Sequence, residues 1–415
     1  MKDYNTFVEV KDEGQERIGA RWVIVKKENH DGLKQQCKAR IVAKGFQELK
    51  KPQSDSPTAM RKSFRPFLQI VCQEEFEEFA SIDIKAAFLN SKIERDVYVE
   101  PPKDLRKQGV LWLLSKHIYG LNDASRGFWK VVRKIFGELG LRPVTVDEAF
   151  YTKRINGRLE AVVITHVDDF SVGATKDFFK QLVNKLSENM KISKIEKEKF
   201  RFIGMDIERR NKEIKVSMEE YGKSIEEIEV FRDVKKDEPL TKLESKIFRK
   251  MTGKIAWLAD NVRPDLCFSV LAMSRKNNSA TVGDLKDINK VLEKLRSKGN
   301  EVSYKKLGEN GDLKMYGITD ASYYTDQKSV AGNVLVLGNK NNDNSVPLFW
   351  KAKSIDRVCE SSKDAEARAM NSMIDVGKQL TGLMEQLLSK DISKTGNILE
   401  EDDKIKIPIK IFTDI

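Results

Sequence analysis

An apolar strand ends in two adjacent acidic residues in AVVITHVDDFSV, residues 161–172. Just upstream, Asn156-Gly157 separates this strand from Tyr151-Thr152-Lys153, and Asn-Gly is a strong signal for a two-residue hairpin turn. The apolar run on one side and Phe170-Ser171-Val172 on the other predict a second, buried hairpin that carries Asp168 and Asp169 at its tip. Two like charges there repel each other unless a cation lies between them, and a divalent metal held by carboxylate oxygens is the usual cation. A solvated Asp-Asp turn is the alternative interpretation.

A third carboxylate, Asp83, also ends an apolar strand, at residues 80–84. Carboxylates at the ends of adjacent strands can share two metal ions about 4 Å apart. Such a pair of ions activates a 3′-hydroxyl and stabilises a leaving pyrophosphate. The presence of Asp83 therefore favours a metal site over the solvated turn.

Alternating apolar residues and turn signals predict a sheet on both sides of this region. The predicted strands cover residues 21–25, 38–43, 80–84, 96–99, 151–153, 159–167, 200–207 and 213–216, with a turn at His30-Asp31-Gly32. Apolar residues at helical spacing predict helices at residues 85–89, 126–139 and 176–190. This part of the chain is predicted to be α+β with an antiparallel sheet.

The remaining chain divides into two stretches. Residues 236–310 are predicted to be helical at 252–258 and 284–295 and show no candidate catalytic cluster, so we interpret them as a tether. Strands are predicted again at residues 314–319, 329–337 and 346–351, followed by a long helix and a final strand at 405–411.

The composition and net charge of the chain exclude several classes of function. The chain has 415 residues and a formal net charge of +11, which favours a polyanionic partner, nucleic acid first. Its longest apolar run is far shorter than the ~20 residues of a membrane span. Four scattered cysteines and three distant histidines suggest neither a disulfide framework nor a zinc site. Any metal chemistry must therefore rest on carboxylates.

An ordered set of motifs resembles the reverse transcriptases of copia-type LTR retrotransposons. The set comprises DIKAAFLN (83–90), VYVEPP (97–102), YGL (119–121) and VDD (167–169), with KARIVAKG (38–45) similar to the fingers and FIGMDI (202–207) similar to the primer grip. The resemblance implies a right-hand polymerase of fingers, palm and thumb over residues 1–235. It further implies a helical tether at 236–310 and a ribonuclease H-like α/β domain at 311–415.

The resemblance also implies a role for each motif residue. Asp83, Asp168 and Asp169 would bind two Mg²⁺ ions, with Mn²⁺ as an alternative. Arg40 would contact the incoming triphosphate, and its alternative is a solvated strand arginine. Phe88 would block the ribose 2′-hydroxyl, and its alternative is a core aromatic residue.

Asp123 occupies the position where the family places a glutamine beside the incoming nucleotide. It would be a nucleotide-binding residue that repels the triphosphate, or the N-cap of the helix that follows it.

The C-terminal stretch resembles the ribonuclease H domain of the same elements. Asp320 would end its first strand, Glu366 would lie at the start of its helix, and Asp414 would end its next strand. These three carboxylates would hold metal for hydrolysis of RNA in a hybrid. Because the chain stops one residue after Asp414, we expect this domain to be incomplete.

The sequence thus predicts an RNA-directed DNA polymerase that uses an RNA template, a DNA primer, their hybrid and dNTPs. Other Pol segments or a second copy are candidate partners, and no membrane is expected. The expected location is intracellular, cytoplasmic or in a virus-like particle, with the nucleus as an alternative. The competing hypothesis is an impaired retrotransposon remnant that only binds nucleic acid. Three departures from the family pattern support this hypothesis: His166 replaces an aromatic residue, Asn122-Asp123 replaces Lys-Gln, and the chain ends early in the ribonuclease H-like domain.

Overall fold

The computed structural model describes residues 1–27, 36–229, 235–325, 327–341, 343–389 and 406–413. The predicted turn at residues 30–32 lies outside these described residues. Among the described residues, no helix is both long and apolar enough to cross a membrane.

Groups of strands are separated by helices along the chain. The strands are β1 (Phe7–Lys11), β2 (Arg17–Lys27), β3 (Gln36–Ala43), β4 (Glu78–Ile84), β5 (Tyr98–Glu100), β6 (Val110–Leu114), β7 (Arg142–Val144), β8 (Asp147–Ile155), β9 (Arg158–His166), β10 (Asp169–Ala174), β11 (Ile192–Lys197), β12 (Lys199–Phe202), β13 (Met205–Arg210), β14 (Glu213–Ser217), β15 (Glu301–Tyr304), β16 (Leu313–Ser322), β17 (Val330–Asn339), β18 (Ser345–Ser354) and β19 (Ile409–Phe412). The helices are α1 (Arg61–Gln73), α2 (Ala124–Glu138), α3 (Lys176–Asn189), α4 (Glu219–Lys223), α5 (Lys242–Asn261), α6 (Cys267–Arg275), α7 (Val282–Arg296) and α8 (Ser362–Leu388).

The central sheet has the strand order β11-β4-β10-β9-β8-β7, and its pairings are antiparallel, as predicted. Strand β9 is almost entirely buried because both faces of this sheet are covered. Its Val162 and Ile164 pack in the core with Phe67 of α1, whereas Ala161 and Val163 pack on the other face with α2 and α3. Burial on both faces explains why the strand is a continuous apolar run rather than an alternating one.

A second sheet, β1-β6-β5-β2-β3, lies at the N-terminal side of the chain. It joins the central region through a close backbone approach, in which Gly45 N donates to Gly120 O at 3.2 Å. Gly120 has φ +92°, and a Cβ atom there would lie 2.1 Å from Ala43 O. Only glycine fits this position, so the Tyr119-Gly120-Leu121 motif fixes how the strand that bears Arg40 meets the rest of the molecule.

The predicted pair of strands at residues 200–207 and 213–216 is three strands, β12, β13 and β14. The first predicted strand is divided at Ile203 and Gly204, which both have positive φ, 47° and 76°. Strand β15 belongs to the stretch predicted as a helical tether, yet it pairs with β14. The tether is therefore not purely helical, and it completes a four-stranded sheet.

The short helical segment predicted at residues 85–89 is a single 3₁₀ turn, Ala87–Asn90. Helices α5 and α7 begin with capping boxes, Thr241 with Glu244 and Thr281 with Asp284, which satisfy N–H groups that the first helical turn leaves unpaired.

The C-terminal sheet has the order β18-β17-β16-β19, with β16 and β19 parallel and α8 packed against it. Its core is continuous with that of the central sheet. The buried Trp350 donates from Nε1 to Ala259 O at 2.7 Å, and the Arg65 guanidinium carbon lies 3.5 Å from the Trp350 ring centroid. The boundaries predicted at residues 235 and 310 remain predictions.

Candidate active site

The antiparallel pairing of β4 with β10 brings the predicted carboxylates together. Asp83 lies directly opposite Asp169 in the register, and Asp168 occupies the turn just before β10. The main chain holds this turn, because Ile84 N donates to Asp168 O at 3.1 Å. Val167 adopts φ +57°, a left-handed conformation that is costly for a β-branched residue and is typically kept at functional turns.

The negative charge of the three carboxylates is only partly offset by nearby cationic side chains. Burial, together with the neighbouring charges of Asp168 and Asp83, raises the pKa of Asp169 to about 7. Burial also raises the pKa of Asp168, although Lys38 and Arg40 act in the opposite direction. The cluster therefore favours an added cation.

The donor set fits a divalent metal ion. Carboxylate oxygens are the hard ligands that Mg²⁺, Mn²⁺ and Ca²⁺ prefer, and a divalent ion would offset the excess negative charge. As the side chains stand, no group of three or more His, Cys, Asp or Glu residues in the described parts of the chain forms a metal cage. Instead, Asp169 is hydrogen-bonded to Asp83, and Ser193 Oγ donates to Asp83 Oδ2. These contacts are compatible with carboxylates that reorient around an ion.

A cavity of about 970 Å³ opens beside the carboxylates, and we call it the carboxylate cavity. Its lining includes Asp83, Asp168, Arg40, Tyr119 and Lys191. The Arg40 guanidinium carbon lies 5.1 Å from the Tyr119 ring centroid, so the aromatic ring supports the guanidinium from one side. The structure thus brings Arg40 to the same cavity as the carboxylates.

Comparison with known protein families shows to which family a chain with this site belongs. The family model for reverse transcriptase (RNA-dependent DNA polymerase) matches residues 4–242, more than half of the 415-residue chain. The chain belongs to this reverse transcriptase family.

Curated relatives of this reverse transcriptase chain are Pol polyproteins of plant transposons, which confirms the predicted resemblance. The chain is 23% identical to the retrovirus-related Pol polyprotein from transposon RE1 of Arabidopsis thaliana, over 89% of the chain and 26% of that relative. It is also 23% identical to the Pol polyprotein from transposon TNT 1-94 of Nicotiana tabacum, over 89% of the chain and 29% of that relative. The chain therefore spans little more than a quarter of these relatives.

A solved structure of a foamy viral protease-reverse transcriptase in complex with RNA/DNA hybrid has the same general fold. The TM-score is 0.53 at 11% identity, covering 98% of this chain and 51% of that one. This likeness confirms the mixed helix-and-sheet class predicted from the sequence. The assignment of fingers, palm and thumb remains a prediction.

Ser193 lines the carboxylate cavity and contacts Asp83, which the sequence did not indicate. It lies on β11, whose pairing with β4 is irregular between Ile192 and Lys194. A β-bulge of this kind can redirect a side chain, and here Ser193 meets Asp83. A single serine in a basic, polar stretch carries no sequence signal for this contact.

Phe88 lies beside the carboxylate cavity rather than in its lining, as the described residues define it. The ring is half-buried and meets Tyr119 edge-on, with 4.7 Å between ring centroids. Its neighbours Ala86 and Leu89 do line the cavity. Contact with a nucleotide sugar is still a prediction for Phe88, and the core alternative agrees with its packing.

Asp123 does not line the carboxylate cavity, in contrast to its predicted place beside a triphosphate. It occupies the N-cap position of α2, but its side chain makes no capping hydrogen bond. Instead, Arg95 donates from Nη2 to Asp123 Oδ1 at 2.9 Å and from Nε to Oδ2 at 3.1 Å. Burial alone would raise the pKa of Asp123, but hydrogen bonds from His117 and Arg95 outweigh it and lower the pKa to about 2. The carboxylate is therefore already neutralised by the protein.

Of the three ribonuclease H-like carboxylates, two fall within the described residues. Asp320 is exposed on β16, and Glu366 is buried at the start of α8. Glu366 accepts from Ala321 N at 2.9 Å and from Thr413 Oγ1 at 3.2 Å. It thus touches the residue after Asp320 and the residue before Asp414. Asp414 itself lies outside the described residues.

Proposed function

We propose that this chain is an RNA-directed DNA polymerase that transfers nucleotides from dNTPs to the 3′-hydroxyl of a primer. The observation that carries the proposal is the meeting of Asp83, Asp168 and Asp169 at one end of the β4–β10 pair, beside the carboxylate cavity. In the relatives this sequence region belongs to Pol polyproteins, so we propose that it works as one segment of such a polyprotein.

Each side chain has a distinct part in the proposed reaction. Asp83, Asp168 and Asp169 would hold two divalent ions, Mg²⁺ by preference, which activate the attacking hydroxyl and neutralise charge on the leaving pyrophosphate. Arg40 binds phosphate oxygens of the incoming nucleotide, since a guanidinium offers two parallel donors. Tyr119 orients that guanidinium through its ring.

The sheets support a right-hand division of the polymerase. The β1-β6-β5-β2-β3 sheet corresponds to fingers because it carries Arg40, and the central sheet corresponds to a palm because it carries the carboxylates. The four-stranded β12–β15 sheet with α5 and α7 would be the thumb and its connection. The primer end of an RNA/DNA hybrid and the incoming nucleotide would meet at the carboxylate cavity between fingers and palm.

An impaired remnant is the less favoured alternative. His166 faces Asp169 across the β9–β10 register, and burial lowers the pKa of its imidazole, which favours the uncharged ring. A neutral ring in this position is compatible with a working site. For the C-terminal domain we propose only a ribonuclease H-like arrangement of Asp320, Glu366 and Asp414, supported by the two contacts of Glu366.

Primer extension on poly(rA)/oligo(dT) with dTTP and Mg²⁺ tests the polymerase. We expect Asp168→Asn to abolish incorporation while leaving the urea midpoint equal or higher, because one of three mutually repelling charges is removed. Asp375→Asn, on the exposed side of α8, is the matched control and should extend primers at the wild-type rate. Wild-type extension by Asp168→Asn would remove the metal assignment. No extension by the wild-type chain, with hybrid binding retained, would favour the remnant.

A further inference from the structure

A second cavity of about 760 Å³ lies on the other side of the segment that follows Asp83; we call it the basic cavity. Ala86 and Leu89 line the carboxylate cavity, whereas Asn90 and Ser91 line the basic cavity. The two cavities are thus adjacent and are lined by successive residues of one segment.

One wall of the basic cavity is a basic stripe on α2. Arg126, Lys130 and Lys134 follow one another at intervals of four residues, so they project from one face of the helix. Eight residues of α-helix span about 12 Å along the axis. Lys92 lines the same cavity from the loop before β5. A row of cations of this length matches an extended polyanion better than a single phosphate group.

The charges of this cavity are not cancelled by the protein. Among the described residues, Lys92, Lys130 and Lys134 form no ion pair within 4.0 Å. The one ion pair of Arg126 within the same described residues is with Asp55, whose side chain is 70% exposed. Three acidic residues also line the cavity. Asp123 is bound by Arg95 and Glu138 by Lys185, which leaves Glu94 as the one carboxylate there without an ion pair in the described part of the chain.

The volume and the apolar lining of the basic cavity further restrict the class of ligand that it can bind. A cavity of this volume is of the size that encloses a small ligand or a short segment, so it is too small for a duplex. Val131, next to Lys130, is partly buried and lines the same cavity, so it offers apolar contact to a base or sugar, whereas Ile135 belongs to the core beneath it. Binding to single strands combines a cationic path for the backbone with such contact surfaces.

We propose that the basic cavity binds the backbone of a single-stranded nucleic-acid segment, outside the carboxylate cavity. The phosphates lie along Arg126, Lys130 and Lys134, and Lys92 contacts the strand from the opposite wall. Because the two cavities are adjacent, one strand can occupy both. Binding here requires neither metal nor dNTP.

The test is fluorescence anisotropy of a 5′-fluorescein-labelled (dT)12 strand with the full chain, in the absence of metal and dNTP. The variant is Lys92→Gln/Lys130→Gln/Lys134→Gln. The control, Lys176→Gln/Lys180→Gln/Lys378→Gln, removes the same charge from exposed helix positions outside the cavity. We expect the variant to weaken binding at least tenfold at low salt. Its slope of log K against log salt should fall by about 2, since each phosphate contact on a single strand contributes about 0.7. The control should change binding less than twofold.

Three results would overturn the proposal: unchanged binding by the variant, an equal loss in the control, or equal displacement of (dT)12 by a (Glu)12 peptide. The last would identify an acidic peptide as the ligand. Photocrosslinking of a 4-thiothymidine strand gives an independent measurement, and it should label residues 124–138 in the wild-type chain. Failure of primer extension would leave these outcomes unaffected, so the polymerase and the basic cavity are tested separately.

Discussion

Replacing Arg95 with glutamine should destabilise the protein in a pH-dependent way. Arg95 Nη2 lies 3.0 Å from Glu48 Oε2 and 2.9 Å from Asp123 Oδ1. The Glu48 and Asp123 side chains are only 6% and 15% exposed. One guanidinium therefore bridges two nearly buried carboxylates, one on the segment after β3 and one at the start of α2. Arg95→Gln leaves both carboxylates without their cation.

The size of the effect follows from burial. Removing one partner from a buried ion pair costs about 3–5 kcal/mol, because the remaining charge stays buried without compensation. Arg95 is itself 32% exposed, which places the expected loss near the lower end, about 3 kcal/mol at pH 7.5. A surface pair is worth roughly 0–1 kcal/mol. Arg106→Gln, which breaks the partly exposed pair with Glu100, is thus the matched control.

The pH dependence has a definite sign. Burial raises the pKa of Glu48 in the folded protein, and loss of Arg95 raises it further because the lowering effect of that cation disappears. A carboxyl group whose folded pKa is raised binds its proton more tightly in the folded state, so stability increases as pH falls through that pKa. The penalty of Arg95→Gln should therefore shrink between pH 7.5 and pH 5.

Urea unfolding followed by tryptophan fluorescence measures both effects. We expect a lower midpoint for Arg95→Gln at pH 7.5, partial recovery at pH 5, and recovery at pH 7.5 in the double variant with Glu48→Gln. Arg106→Gln should stay within about 1 kcal/mol of wild type at both pH values. A loss below 1 kcal/mol for Arg95→Gln, or a loss that grows on acidification, would refute the reasoning.

Three further substitutions have specific expected outcomes. Phe88→Val should raise incorporation of ribonucleotides relative to deoxyribonucleotides if the ring contacts the sugar, and an unchanged ratio in an active variant would assign Phe88 to the core. Gly120→Ala should lower the free energy of unfolding by at least ~2 kcal/mol, because the added Cβ is strained and overlaps its neighbours. Gly253→Ala, on a helix with nothing within 4 Å, should raise the free energy of unfolding by up to ~1 kcal/mol, and equal effects would contradict the backbone argument. Trp350→Phe should cost about 1–3 kcal/mol, because the buried Ala259 carbonyl keeps only the weak thiol donor of Cys267 at 3.7 Å, and a neutral result would show that this thiol is sufficient.

The sequence by itself predicted the local elements that hold the carboxylates. A continuous apolar run, an Asn-Gly turn and two acidic residues were sufficient to predict the β8–β9 hairpin and the place of Asp168 at its end, because turn chemistry and hydrophobic patterning act over a few residues. The same reasoning predicted the helices that became α2 and α3. It missed the break at Ile203-Gly204, where two residues with positive φ divide a run that is otherwise strand-like.

The partners of each charge were decided only by the tertiary structure. Asp123 looked like an anion beside a nucleotide, but Arg95 pairs with it and His117 lies 3.5 Å from it, both from other parts of the chain. Ser193 meets Asp83 only because β11 pairs with β4 through a bulge. Such contacts depend on strand register and on the packing of segments far apart in sequence, and local patterns do not encode either. Residue types and spacing could therefore indicate which chemistry the chain carries, whereas three-dimensional packing determined which charges remain available for it.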